Sequence, residues 1–406
     1  MMNFNKLLSK PVLTKLSKNK ALVNLVCNLQ NIIYKIDSKK FNTNKNKILI
    51  VGGYNQFNYL IQDLKKNKNN IVIKGSVYPG RSLFREDIDY CIRFKENEQN
   101  IREKIKYVNL IVVTNDVVPF ERMLIKLAHE LGILTLSVQH GMFSGEDYLY
   151  RSIKTTKMAV WGYITKQWLL KNGENKNKIV IVGSPMLDKY VTRKVNQHET
   201  RKRLKISSNK KVLLFTAQPS LDLSKVWGIK GLTPNKNSLE EEKETIKRFL
   251  QVSNELGCFA IIKLHPLGAP DVYEVKEYIK NSDFKNYIIC KSENIQDLIS
   301  ISDIVFTHHS TTGLEAFYLK KFMICINFYN KYEPIGYAKH GCALEANDEE
   351  SLKKAINDTL YNKTAREKLR KNSEKFIKLY SYKDDGKSST RLANLILDMI
   401  KEKKSK

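Results

Sequence analysis

With 406 residues, 42% hydrophobic and 28% charged, the chain is long enough for two domains with substantial cores and too apolar to remain disordered. Lys and Arg outnumber Asp and Glu by 70 to 42, a formal charge of +28 that points to nucleic acid, an anionic membrane surface or phosphate-bearing substrates. No zinc-finger spacing and no RNP-type aromatic motif occurs, which makes nucleic acid the weakest of the three.

The six cysteines (Cys27, Cys91, Cys258, Cys290, Cys325 and Cys342) form no CxxC pair. Several lie inside apolar runs such as Ile324-Cys325-Ile326, the pattern of free thiols packed as small hydrophobes in a reducing compartment. No apolar stretch approaches the ~20 residues needed to cross a bilayer, and Lys interrupts the apolar residues of the N-terminus throughout. The expectation is a cytoplasmic protein.

In chain order, residues 1–45 read as a basic amphipathic helical segment broken near Pro11. It suits either an anionic membrane or a seat on the first domain. Residues 46–195 form the first expected domain. Lys47–Val51 is a buried strand ending in a glycine turn, without the GxGxxG spacing. Further strands are expected at Ile71–Lys74, Leu110–Thr114, Leu134–Val138, Met158–Trp161 and Ile179–Val182, with helical runs between them, notably Phe120–Leu131. Strands alternating with helices imply a mostly parallel, doubly wound α/β sheet. Two of these strands end in polar residues, Thr114-Asn115-Asp116 and Gln139-His140-Gly141, where such sheets place their sites. Asp87-Ile88-Asp89 resembles a metal-binding DxD motif but lacks the strand–loop context and reads as a surface acidic pair.

Thr192–Lys210, charged and poor in core residues, is the expected linker to a second α/β domain at 196–380. Its strands are expected at Val212–Thr216, Phe259–Leu264, Tyr287–Cys290, Ile304–Phe306 and Phe322–Asn327. Helices are expected at Leu239–Leu256, Val272–Ile279 and Ile295–Ile299, and residues 381–406 form a C-terminal helix.

Two stretches in this half suit phosphate. Lys263-Leu264-His265-Pro266 puts a cation and an imidazole at a strand end that Pro terminates. Ser310-Thr311-Thr312-Gly313-Leu314-Glu315 leads from the next such strand end into a helix, where hydroxyls and unpaired N–H groups make an anion site. The plain alternative for this turn is a Ser/Thr cap, and for Glu315 compensation of the helix dipole. Glu315 is otherwise placed to accept hydrogen bonds from a ribose diol. His140 is an imidazole suited to taking a proton near neutrality, and Gly141 permits close approach of a ligand to the backbone.

Four stretches together resemble GT-B-fold transferases of surface polysaccharides: Val138-Gln139-His140-Gly141, Val182-Gly183-Ser184-Pro185-Met186-Leu187-Asp188, Lys263-Leu264-His265-Pro266 and Ser310–Ala316; the tail Tyr382–Ser389 followed by Arg391-Leu392-Ala393 is similar to theirs as well. The closest groups are the Kdo- and sialyltransferase-like families and the CDP-glycerol glycerophosphotransferases. The likeness runs from about Ile111 to the C-terminus. It implies two Rossmann-like domains facing across a cleft, with C-terminal helices packing back toward the first. The donor site would comprise Lys263, His265, Ser310, Thr311, Thr312 and Glu315. His140 or Asp116 would be catalytic, and Gln139, Gly141 and Gly183 would lie on the acceptor side. By this likeness the enzyme needs no metal and no cofactor beyond a nucleotide-activated donor, of CMP or CDP type in preference to UDP. Its acceptor is a surface polysaccharide or glycolipid, its place the inner face of the membrane. Met142 follows Gly141 where glycerophosphotransferases carry Thr, which favours sugar transfer over glycerophosphate transfer. The rival readings are a glycerophosphotransferase, a UDP-N-acetylglucosamine 2-epimerase, whose N-terminal signature is absent after Val51, and a non-catalytic binding protein of the same fold.

Overall fold

The structure, a computed structural model, describes residues 44–52, 54–76, 90–91, 97–114, 116, 119–142, 152–218, 237–266, 268–331 and 335–405. The basic N-terminal segment, Asp87-Ile88-Asp89 and Asn115 lie outside the described residues. The chain divides into two compact units: Met1–His140 with Asp147–Asp188 and Lys387–Lys406, and Gly141–Glu146 with Lys189–Gly386.

The first unit contains β1 (Asn46–Val51), β2 (Asn70–Ser76), β3 (Tyr90–Cys91), β4 (Leu110–Val113), β5 (Leu134–Val138), β6 (Lys157–Val160) and β7 (Ile179–Ile181). They pair in parallel in the order β3-β2-β1-β4-β5-β6-β7. A sheet covered on both faces needs apolar side chains pointing both ways, which is why its strands read as continuous apolar runs. In β1, Ile48 and Ile50 enter one core together with Leu110 and Val112, whereas Leu49 and Val51 enter the other with Ile111 and Val113.

The first of these cores is completed from the far end of the chain. Leu392, Ala393, Ile396, Met399 and Ile400 form one apolar stripe of the helix Ser388–Lys404 and are all buried in it. Burying its Leu, Ile and Met side chains contributes about 1.5–3 kcal/mol each. Asp188 accepts hydrogen bonds from the Ser388 and Ser389 N–H groups at 3.1 and 2.7 Å, placing a carboxylate on the positive end of that helix. Gly183 is needed at this point. Its φ is +87°, and a Cβ there would lie 2.4 Å from Ser388 Oγ. Of the C-terminal helices only this one joins the first unit; Lys363–Ser381 stays with the second.

The second unit contains β8 (Val212–Thr216), β9 (Phe259–Lys263), β10 (Tyr287–Cys290), β11 (Ile304–Thr307), β12 (Phe322–Ile326) and β13 (Leu344–Ala346), parallel in the order β10-β9-β8-β11-β12-β13. Leu213, Phe215, Ile262, Phe306 and Ile324 pack with Ile246, Phe249 and Leu250 of the helix Asn237–Glu255. Strand order reverses between β8 and β11, the switch point beyond which such sheets bind ligands. The segment expected as a linker instead folds in part as the helix Gln197–Arg203, capped by the Asn196 side chain.

Candidate functional site

His265 and Ser310 follow the carboxyl ends of β9 and β11, the strands on either side of β8. Two strand spacings put these ends roughly 10 Å apart. Both residues are half-buried.

The turn before the helix Thr312–Tyr318 is built differently from an open anion site. Thr312 N–H donates to Ser310 Oγ at 3.2 Å, Gly313 N–H to the Ser310 carbonyl at 3.1 Å and Glu315 N–H to the Thr311 carbonyl at 3.1 Å. Leu314 N–H donates to the Tyr337 hydroxyl at 3.1 Å, and that hydroxyl donates to the Ser310 carbonyl at 2.9 Å. The four N–H groups of the first turn therefore already have acceptors. What the turn presents is hydroxyls. Ser310 Oγ and Thr312 Oγ1 are 3.0 Å apart, and Thr311, the residue before the helix, uses its side chain for no cap.

Tyr337 is the brace of this turn. It is fully buried, and its ring packs on Phe317 and Phe376 with centroids 5.7 and 5.0 Å apart. A Cβ on Gly313 would come 2.3 Å from Met323 Sδ and 2.7 Å from Tyr337 Cζ, so only glycine lets helix and brace meet. Met142, grouped with this unit, has its Sδ 3.2 Å from the Tyr337 hydroxyl.

Two residues expected at the donor phosphate and ribose have other partners here. Glu315 is 6% exposed and accepts a hydrogen bond from the Tyr190 hydroxyl at 2.6 Å. Burial raises its carboxyl above the ordinary range. Lys263 is 8% exposed, and its Nζ donates to the carbonyls of Leu264 and Lys291 at 2.9 and 3.0 Å. Its ammonium ties the ends of β9 and β10 together, and burial lowers its pKa. Both side chains are engaged by partners within the second unit.

Beside the turn stands a pair of histidines in opposite states. His308 Nδ1 donates to the Ile326 carbonyl at 2.8 Å, and its Nε2 meets Glu242 at 2.9 Å. Burial opposes its charge, but the Glu242 carboxylate and that carbonyl outweigh it and raise the pKa. Glu242 also accepts the Gln218 N–H at 2.9 Å, so one carboxylate links the ends of β8 and β11. His309 is driven the other way, to about 4, by burial and then by charged His308.

In the first unit Asp116 follows β4 and is 1% exposed. Its carboxylate accepts the Lys154 N–H at 3.1 Å, and Arg122 Nε donates to its carbonyl at 3.0 Å. Burial raises its pKa despite these contacts. The side chain is enclosed within the first unit. Gln139 is likewise inside: its Oε1 accepts the Trp161 N–H at 2.8 Å, and its carbonyl accepts Trp161 Nε1–H at 2.7 Å. His140, one residue on, is exposed, and a Cβ on Gly141 would meet nothing within 4 Å. Gly183, expected on the acceptor side, is packed against the last helix.

Sequence reasoning passed over Glu121. This residue in the first turn of the helix Pro119–Glu130 is 5% exposed, its Oε2 has no hydrogen-bond partner, and burial lifts its carboxyl to about 7. It reads in sequence as ordinary dipole compensation. Tyr337, Tyr190 and Glu242 were equally silent, because their partners are far away in the chain. Among the described residues no group of three or more His, Cys, Asp or Glu is arranged to hold a metal ion.

Set beside known proteins, residues 90–398 match the CDP-glycerol:poly(glycerophosphate) glycerophosphotransferase family. The chain belongs to that family. No curated protein matches the chain. Solved structures of similar fold include a protein described as a UDP-N-acetylglucosamine 2-epimerase from Listeria monocytogenes, at 14% identity over 88% of this chain and 97% of that one, with a TM-score of 0.66. The UDP-GlcNAc 2-epimerase of Neisseria meningitidis bound to UDP-GlcNAc follows at 16% over 87% and 100%, TM-score 0.62. Anabaena HepE in complex with UDP-glucose is similar at 12% over 87% and 99%, TM-score 0.58. At these identities the likeness is one of fold, two Rossmann-like domains of the GT-B type. No described helix is long and apolar enough to cross a membrane.

Proposed function

We propose that this member of the glycerophosphotransferase family transfers a polyol phosphate from a CDP-activated donor to a hydroxyl of a growing surface polymer. The family match over residues 90–398 carries the reading. The geometry that supports it is the hydroxyl-bearing turn Ser310–Thr312 braced by Tyr337, with His265 beyond the second strand over.

On this reading His265 and the three hydroxyls hold the donor's diphosphate as fixed donors, the arrangement that stabilises charge developing on a departing phosphate. Glu315 and Lys263 serve the site by holding its walls. His140, exposed at the end of β5, takes the proton of the acceptor hydroxyl. The acceptor oxygen forms a bond to the distal phosphorus, the bond from that phosphorus to the bridging oxygen breaks, and CMP leaves with its electrons. The basic surface would favour a phosphate-linked acceptor or an anionic membrane.

A second reading is sugar transfer from a nucleotide-sugar, supported by the fold's likeness to proteins captured with UDP-GlcNAc and UDP-glucose. There the acceptor attacks the sugar's anomeric carbon and a nucleoside diphosphate leaves. A thermal-shift panel of CMP, CDP, UDP, GDP and ADP addresses both, since a ligand bound only by the folded state raises Tm. Cytidine nucleotides should stabilise the protein, and His265→Ala should abolish the shift. Stabilisation by UDP alone would favour the second reading, and no shift with any nucleotide would remove both.

A further inference from the structure

The carboxyl ends of β8, β11 and β12 and the start of the helix Asn237–Glu255 surround an open pocket. The pocket lies at the switch point of the second sheet. None of the residues assigned above to the donor phosphate lines it, yet His309 does, and Ser310 follows directly. The pocket thus begins one residue away from the phosphate-binding hydroxyls.

Its charges are already matched. Glu242 faces His308 and Glu241 pairs with Lys331, two carboxylates against two cations. A further charged group would find no unmatched charge among them to pair with. The hydrogen-bonding capacity left open is uncharged. The His309 ring makes no hydrogen bond to the described residues, and burial keeps it neutral. The Tyr329 hydroxyl also makes none, and its ring, beneath Lys331, is 37% exposed. An aromatic face beside neutral donors and acceptors matches a short chain or ring of carbons bearing hydroxyls.

We propose that this pocket receives the uncharged, hydroxyl-rich group that the donor carries beyond its diphosphate, with His309 as the residue that hydrogen-bonds those hydroxyls and selects the group. The inference rests on the nucleotide-donor reading above, and it holds whether that group is a polyol or a sugar.

The test is calorimetric titration of the full chain with CDP, CDP-glycerol, UDP and UDP-glucose, repeated on His309→Ala and Tyr329→Phe. His309→Ala should weaken the preferred donor about tenfold, the loss of one good hydrogen bond, and leave the matching free nucleotide unchanged. Tyr329→Phe removes an exposed hydroxyl without disturbing packing and should give a smaller loss of the same kind. Equal weakening of donor and nucleotide, or no weakening of either in both variants, would overturn the pocket assignment while leaving nucleotide binding intact. Failure of the native chain to bind any of the four would overturn the donor reading and this inference together.

Discussion

The two units share an architecture and use it differently. Each is a parallel sheet with polar residues just beyond its strands. In the second unit those residues are braced: one buried hydroxyl, that of Tyr337, holds the turn of Ser310, and one buried ion pair, Glu242 with His308, links neighbouring strand ends. In the first unit the polar groups are drawn inward. Gln139 secures Trp161, Asp116 accepts a backbone N–H, and Glu121 is buried with an oxygen unpaired. Placement at a strand end is therefore not enough to make a site. What matters is how the surrounding groups hold each side chain; His140, at the end of β5, is exposed.

The largest expected effect falls on the second unit. His265→Ala should lower turnover by about 100- to 1,000-fold, the usual consequence of removing one fixed donor to developing charge. Its Tm should be unchanged, because the residue is half-buried at a strand end. Near-native turnover would mean that the braced turn does not hold the donor.

Gly313→Ala tests the brace itself. Its Cβ would collide with Met323 and Tyr337, so it should cost about 1–3 kcal/mol by chemical denaturation and weaken nucleotide binding as well. Unaltered stability would show that Tyr337 can move without consequence.

The inward-drawn polar groups of the first unit make a prediction in pH. The Glu121 carboxyl has an ordinary value of 4.5 and stands at about 7 when folded. The unfolded chain therefore loses this proton first, and its contribution to stability, present below pH 4.5, is lost as pH rises toward 7. The full loss is on the order of 3 kcal/mol. Glu121→Gln should remove that slope, so the variant gains on the native protein between pH 5 and 8. Parallel pH profiles would contradict the buried, unpaired carboxyl.

The smallest effect is spectroscopic. His309 should keep the NMR signature of a neutral ring down to about pH 4, while adjacent His308 remains charged above pH 6.5. Two rings titrating together would undo the neutral-pocket argument.

Much of this was legible in the sequence, and the limits have a physical cause. Continuous apolar runs marked the strands because both faces of each sheet are covered, and β5, β8 and β10 have the expected bounds. The short edge strands β3 and β13 carry too few residues to show a pattern. His265 and the Ser310 turn were placed correctly at strand ends, since Pro266 and the polar turn interrupt apolar runs. The state of that turn was hidden. The Leu314 N–H is claimed by Tyr337, 23 residues away, and the Glu315 carboxylate by Tyr190 at a separation of 125. No local pattern announces such partners.

The leaving group distinguishes phosphodiester-forming transfer from a cytidine-activated donor from every rival reaction. The purified chain would be incubated with CDP-glycerol and a poly(glycerophosphate) acceptor, and the released nucleotide identified chromatographically. The account predicts CMP, released in proportion to acceptor and lost in His265→Ala. No CMP from CDP-glycerol, with nucleoside diphosphate released from a nucleotide-sugar instead, would contradict it and establish sugar transfer in its place.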